Sequence, residues 1–259
     1  MTYLKMFRIF LVALGATLLI VGLKFVFHQL NIEIIEQTSL HNSVISSVIF
    51  VIGFLLSATI ADYKESEKIP AEFASTVENM YEDGESIHGT YPKFDLELFR
   101  KNLIDILGSF RDGTRVNRGG ARREINELNE TFTQMEKAGV PANFIVKLKQ
   151  QQAQLLRSLF RVNYIQKIKF IPSAFILARS IVVLIIVVLL LTNIDPFYGG
   201  LVLTGAISFI LLYMIILIQI VSIPFHEKGL TQDDVSLFLL RETAAYLKSR
   251  APEKRKKKK

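Results

Sequence analysis

Four blocks almost free of charge confine this chain to a membrane. Residues 9–27 run for 19 positions with one charge, Lys24, and residues 44–61 run for 18 with none. Residues 180–194 add 15 uncharged positions and extend back past Arg179 to about residue 171; residues 196–225 add 30. A helix needs roughly 20 apolar residues to cross the hydrocarbon core, 17 to 25 in practice. All four blocks meet that length once the third is allowed its arginine near one end. The fourth exceeds one span, so its ends are expected in the interface or in a re-entrant turn supplied by Pro196, Gly199 and Gly200. Half of the residues are apolar and 21% are charged, and the charge lies between the blocks. The first block starts basic, but no small-x-small cleavage site follows it and the run is long for a signal peptide. It therefore reads as a retained span.

Lysine and arginine placement gives the orientation. Lys5 and Arg8 precede the first span. The loop at residues 28–43 carries Glu33 and Glu36 and no Lys or Arg. Residues 63–171 carry 17 basic and 15 acidic side chains, and residues 226–259 carry ten basic and five acidic. The turn between the third and fourth spans carries only Asp195. The expected arrangement is a multi-pass protein of the cell membrane, with both termini and the large insert cytoplasmic and both short loops outside. The organisation reads as a first transmembrane hairpin over 1–62, a cytoplasmic helical domain over 63–171, a second hairpin over 172–225, and a cytoplasmic helix with a basic tail over 226–259. The fold class is an all-α membrane protein.

The insert reads as helices. Leu96, Phe99, Leu103, Ile106 and Phe110 recur at steps of three and four, with Asp95 placed as an N-cap. Ile125, Leu128, Phe132 and Met135 repeat the pattern until Ala138–Gly139 ends it. Pro141 suits the first turn of a following helix, which has room for some thirty residues. Its seam of Ile145, Leu148, Leu155, Leu159 and Val162, with Gln152 in the missing slot, has coiled-coil spacing. The second span is expected to continue inward through Ile69, Phe73, Val77 and Met80, with Pro70 kinking it or starting a new helix. No strand pattern, internal repeat or Gly-rich phosphate loop is present.

Little here suggests chemistry. The chain has no cysteine, and its four histidines never fall at metal-ligand spacing. No serine–histidine pair or carboxylate dyad lies where membrane chemistry would need one. Neither an enzyme nor a cofactor is expected, nor a nucleic-acid partner. Arg111, Arg115, Arg118, Arg122 and Arg123 read as solvated surface before they read as a phosphate or lipid site. Asp233 and Asp234 read as acids at a helix N-terminus and are weak calcium candidates. Lys24 reads as a side chain snorkelling outward, or else as a charge drawing anions to a pore mouth. The run of six basic residues at 254–259 could engage anionic lipid.

At residues 50–54 the chain resembles the bestrophins. Phe50-Val51-Ile52-Gly53-Phe54, in the second of four spans and leading to a long charged helix with Pro70, is similar to their pore helix. Ile223-Pro224-Phe225 followed by Asp233-Asp234-Val235 is similar to the segment after their last span. The order of elements also matches, and the divergent prokaryotic bestrophin-like membrane proteins match best. The family's Arg-Trp-Trp run is absent, its positions reading Asp62-Tyr63-Lys64. His226-Glu227-Lys228-Gly229 separates the Pro-Phe pair from the acidic stretch.

The resemblance implies a homo-pentameric ion channel that conducts anions, chloride above others, through a pore lined by the second span. It places Phe50 and Phe54 at a hydrophobic neck with Ser46 in the next slot outward. Gly53, Ser57, Ala58 and Ala61 become weaker lining positions. The acids Glu33, Glu36, Asp62, Glu65 and Glu67 would disfavour chloride if they faced the pore. The alternative is a non-conducting scaffold whose helical hairpin and basic tail recruit a protein or anionic lipid.

Overall fold

The computed structural model describes residues 7–113, 118–167, 172–225 and 234–250. In chain order these form α1 (Arg8–Gln29), β1 (Ile35–Glu36), α2 (Ser39–Thr90), α3 (Leu96–Gly113), α4 (Arg118–Lys137), α5 (Ala142–Lys167), α6 (Pro172–Leu191), β2 (Thr192–Asn193), α7 (Phe197–Val221) and α8 (Phe238–Ser249). Four helices are long and apolar enough to cross a membrane: α1, the 52-residue α2, α6 and α7. The 22 residues of α1 give about 33 Å at 1.5 Å per residue, which matches a hydrocarbon core of about 30 Å. The protein is thus an all-α membrane protein with one small addition. β1 and β2 pair in parallel, Ile35 opposite Thr192 and Glu36 opposite Asn193. Two residues each are too few for an alternating pattern, so the expectation of no strands is corrected.

The chain divides into two compact units, with the boundary in α2 between Tyr63 and Lys64. The first holds α1, β1, the start of α2, α6, β2 and α7. Here α1 packs against α7 and α6, and α6 packs against α7. The buried residues of α1 are Ala13, Thr17, Ile20 and Lys24, spaced by three and four. Those of α7 include Gly200, Thr204, Ser208 and Leu211. Small side chains on both helices allow close approach, which is how helices associate where lipid removes the hydrophobic drive. Ile52 of α2 joins Val182, Ile185, Leu189, Leu211 and Ile218 in a buried apolar cluster. Pro196 caps α7, and Gly199 and Gly200 lie inside its first turn. The expected glycine turn is therefore a helix start. Gly200 is needed for contact instead: a Cβ there would lie 2.8 Å from Ile194 Cβ.

The second unit holds the rest of α2 with α3, α4, α5 and α8. α2 runs on through Pro70 as one helix, so the proline does not start a new one. A proline inside a helix costs about 3 kcal/mol or more. Burial of Ile69, Phe73, Val77 and Met80 on one face offsets that cost, and Phe73 stacks on Phe110 at 3.9 Å. Asp95 caps α3 as expected, its Oδ1 accepting from Leu98 N–H at 2.9 Å. α4 ends in a Schellman turn: Gly139 has φ +88°, Gly139 N–H donates to Glu136 O, and Val140 N–H donates to Met135 O. The α5 seam is buried throughout, Gln152 included. Its Nε2 donates to Ile125 O on α4 at 2.7 Å, so the polar member of the seam has a partner. α8 packs on α3, where Arg100 donates to Leu247 O near the end of α8, a favourable place for a cation.

Candidate functional site: the uncovered face of the second span

α2 sorts its side chains by helix face. Ile45, Val48, Ile49, Ile52, Leu55 and Leu56 turn into the apolar cluster of the first unit. Ser46, Phe50, Phe54, Ser57 and Ala61, spaced four, four, three and four, fall on the other face, and all five are exposed. Phe50 is 74% exposed and Phe54 72%, against 0% for Ile52 between them. The two rings therefore do not pack against neighbouring spans of their own chain. Ala58 is half-buried at the edge of this stripe. Gly53 lies at the other edge, and a Cβ there would sit 3.7 Å from Met214 Cε of α7, an ordinary contact. The serine hydroxyls near the start of α2 bond locally, Ser43 donating to Ser39 O and Ser47 to Ser43 O.

The acids expected to govern ion sign have lysine partners in several places. Glu33 pairs with Lys24 at 2.5 Å, Glu65 with Lys68 and Glu67 with Lys64, each of the latter at 2.7 Å. The Lys68 hydrogen bond and charge hold the Glu65 carboxyl below its usual range. Asp234 is half-buried, whereas Asp233 lies outside the described residues, as do Arg115 and the run at 254–259. Arg122 sits over the Phe160 ring at 5.5 Å, and Arg123 pairs with Glu127 at 3.0 Å.

Lys24 overturns the snorkelling expectation. It is 1% exposed, and its ammonium donates to Thr192 O and to Leu190 O, the latter at 3.4 Å. Its carboxylate partner Glu33 also accepts from His28 Nδ1 at 2.8 Å, and the His28 ring stacks on Phe197 at 3.8 Å. This cluster gathers α1, the first loop, the end of α6 and the start of α7. Nine residues separate Lys24 from Glu33, so helical spacing does not pair them. Asn31 supplies the link: at φ +54° it closes a Schellman turn, with its N–H on His28 O and the Ile32 N–H on Phe27 O. An asparagine just past an apolar run is the sequence signal that would have found the turn.

Neither a protein-family model nor a curated protein sequence matches this chain. Solved structures do. A crystal structure of a bacterial bestrophin homologue from Klebsiella pneumoniae matches with TM-score 0.76 and 13% identity, over 93% of this chain and 97% of that one. Two point variants of a bestrophin homologue from the same organism match similarly. One has TM-score 0.75 and 14% identity over 95% and 98% of the two chains; the other has 0.76 and 13% over 93% and 98%. The fold is therefore bestrophin-like along nearly its whole length.

Proposed function

We propose that this chain is the subunit of a bestrophin-like ion channel of the cell membrane, a homo-pentamer with the second span of each copy lining a central pore. Phe50 and Phe54 form its hydrophobic neck, Ser46 lies outward of them, and Ser57, Ala58, Ala61 and Gly53 line the approach. Conduction is passive, and a ring of apolar side chains gates it by dewetting. The basic residues of the insert and tail support a cytoplasmic side for both termini. Anions, chloride above others, are the ions the resemblance favours. The lysine partners of Glu33, Glu65 and Glu67 support this by offsetting the acids that would oppose it.

One observation carries the reading: two phenylalanines a helical turn apart, nearly three-quarters exposed, on the face of α2 turned from the core of its own unit. The test is the reversal potential of the purified protein in a planar bilayer under asymmetric KCl. Reversal near the chloride equilibrium potential is expected; reversal near that of potassium would keep the pore and invert its selectivity. Phe54→Ala should widen the neck and raise open probability or leak. A variant that conducts like wild type would remove Phe54 from the gate. Silence from both proteins as well-folded oligomers would favour the scaffold instead.

A further inference from the structure

A lysine buried at the end of a membrane span is costly unless its charge is matched. Lys24 is matched by one carboxylate, Glu33, which belongs to the loop and not to a helix. Two backbone carbonyls, Leu190 O and Thr192 O, take its remaining protons. The titratable groups on Glu33 are Lys24 and His28, both from α1. α6 and β2 contribute carbonyls, and α7 contributes the Phe197 ring against His28. The two sides of the carboxylate differ in access. Oε1 faces the sealed lysine, whereas Oε2 faces His28, whose side chain is 38% exposed. Protons from water thus have a route to Glu33.

Two residues beyond Glu33, Ile35 and Glu36 pair with Thr192 and Asn193, and α2 starts at Ser39. The loop that Glu33 holds is the anchor of the first turn of α2, seven residues before Ser46. We infer that Glu33 is a proton-releasable clasp: its neutralisation strands the Lys24 charge, frees the loop at 32–38, and loosens the anchorage of the span that carries the neck. The coupling to conduction rests on the channel reading above; the clasp itself does not.

The direction of titration agrees. Burial alone would raise the Glu33 carboxyl, but hydrogen bonds and charge from His28 and Lys24 outweigh it and hold the group below its usual range. A folded-state value below the unfolded one means the clasp holds at neutral pH and is lost as pH falls through the lowered value. Release therefore occurs below the ordinary carboxylate range, about pH 4.3.

The chain has no cysteine, so Ile34→Cys, at a position 78% exposed in this loop, carries a unique spin label on the full-length protein in liposomes. The label is expected to be restrained at neutral pH and to lose its immobile component in acid. With Glu33→Gln it should be mobile already at neutral pH and insensitive to acid. With Lys24→Met and Glu33→Gln together the clasp is absent and no charge is stranded, so the label should show one mobility at every pH. That double variant keeps the test alive if Glu33→Gln fails to fold. A Glu33→Gln protein that stays restrained and still titrates would overturn the clasp, as would an acid transition that persists in the double variant. In planar bilayers, acid on the short-loop side alone should change the current, and Glu33→Gln should abolish that response. A label that responds while the current ignores acid would overturn the coupling to the pore. A label that responds in a protein silent even with Phe54→Ala would uphold the clasp and sink the channel reading.

Discussion

Lys24 is inside and Phe54 outside, the reverse of what water alone would select. Around an apolar span the bilayer accepts a phenylalanine, and the protein interior alone can match a lysine with carbonyls and a carboxylate. Lys24→Met by itself would leave Glu33 with the His28 hydrogen bond alone and should cost roughly 3 kcal/mol, by analogy with broken buried pairs. Thermal denaturation in detergent would check it. Gly200→Ala should cost about 1–3 kcal/mol, because its Cβ meets Ile194 side chain and carbonyl within 3.2 Å and neither can yield without moving backbone. Tyr81 adds a pH dependence in the second unit. Burial first, then the bond to Glu85, pushes its hydroxyl up to about 12. A raised folded-state value contributes stability that is fully present below about pH 10 and lost as pH rises through about 12. Tyr81→Phe should flatten alkaline denaturation over that window; an unchanged profile would mean that other groups dominate it.

At the scale of elements, the ends were more legible than the interruptions. Asp95, Gly139 and Pro141 mark helix boundaries through local chemistry, and the chain obeys them. Asp95→Ala should destabilise the second unit by about 1 kcal/mol. Gly139→Ala should do so by about 1–2 kcal/mol, because an alanine at φ +88° is strained whatever space surrounds it. Equilibrium unfolding of each variant would test both. Pro70 and the Gly199–Gly200 pair look like breaks and are not. Local propensity opposes helix at each, but buried apolar contacts along α2 outweigh one missing hydrogen bond, and Gly200 serves packing instead of turning.

At the scale of the whole molecule, the proposed pore requires copies to meet around the exposed stripe on α2. Light scattering in mild detergent should give an assembly larger than a dimer. A monomer or dimer would remove the central pore, leaving Phe50 and Phe54 to lipid. Both phenylalanines were readable as one helix face from their spacing. That the face is uncovered within one chain was not readable, because a spacing of four suits core, lipid and pore alike.

The chain's own order of residues determined the four spans, the helical insert, its seam and its caps. These rest on local rules: an apolar run must match a bilayer's thickness, and a helix end must satisfy its own backbone groups. Tertiary structure alone decided which partner each side chain took. It turned Ser46, Phe50 and Phe54 away from the apolar cluster, carried α2 unbroken through Pro70, and paired Lys24 with Glu33 across the Asn31 turn. Those outcomes depend on contacts between distant segments, whose energies outweigh local preference and leave no periodic trace in the sequence.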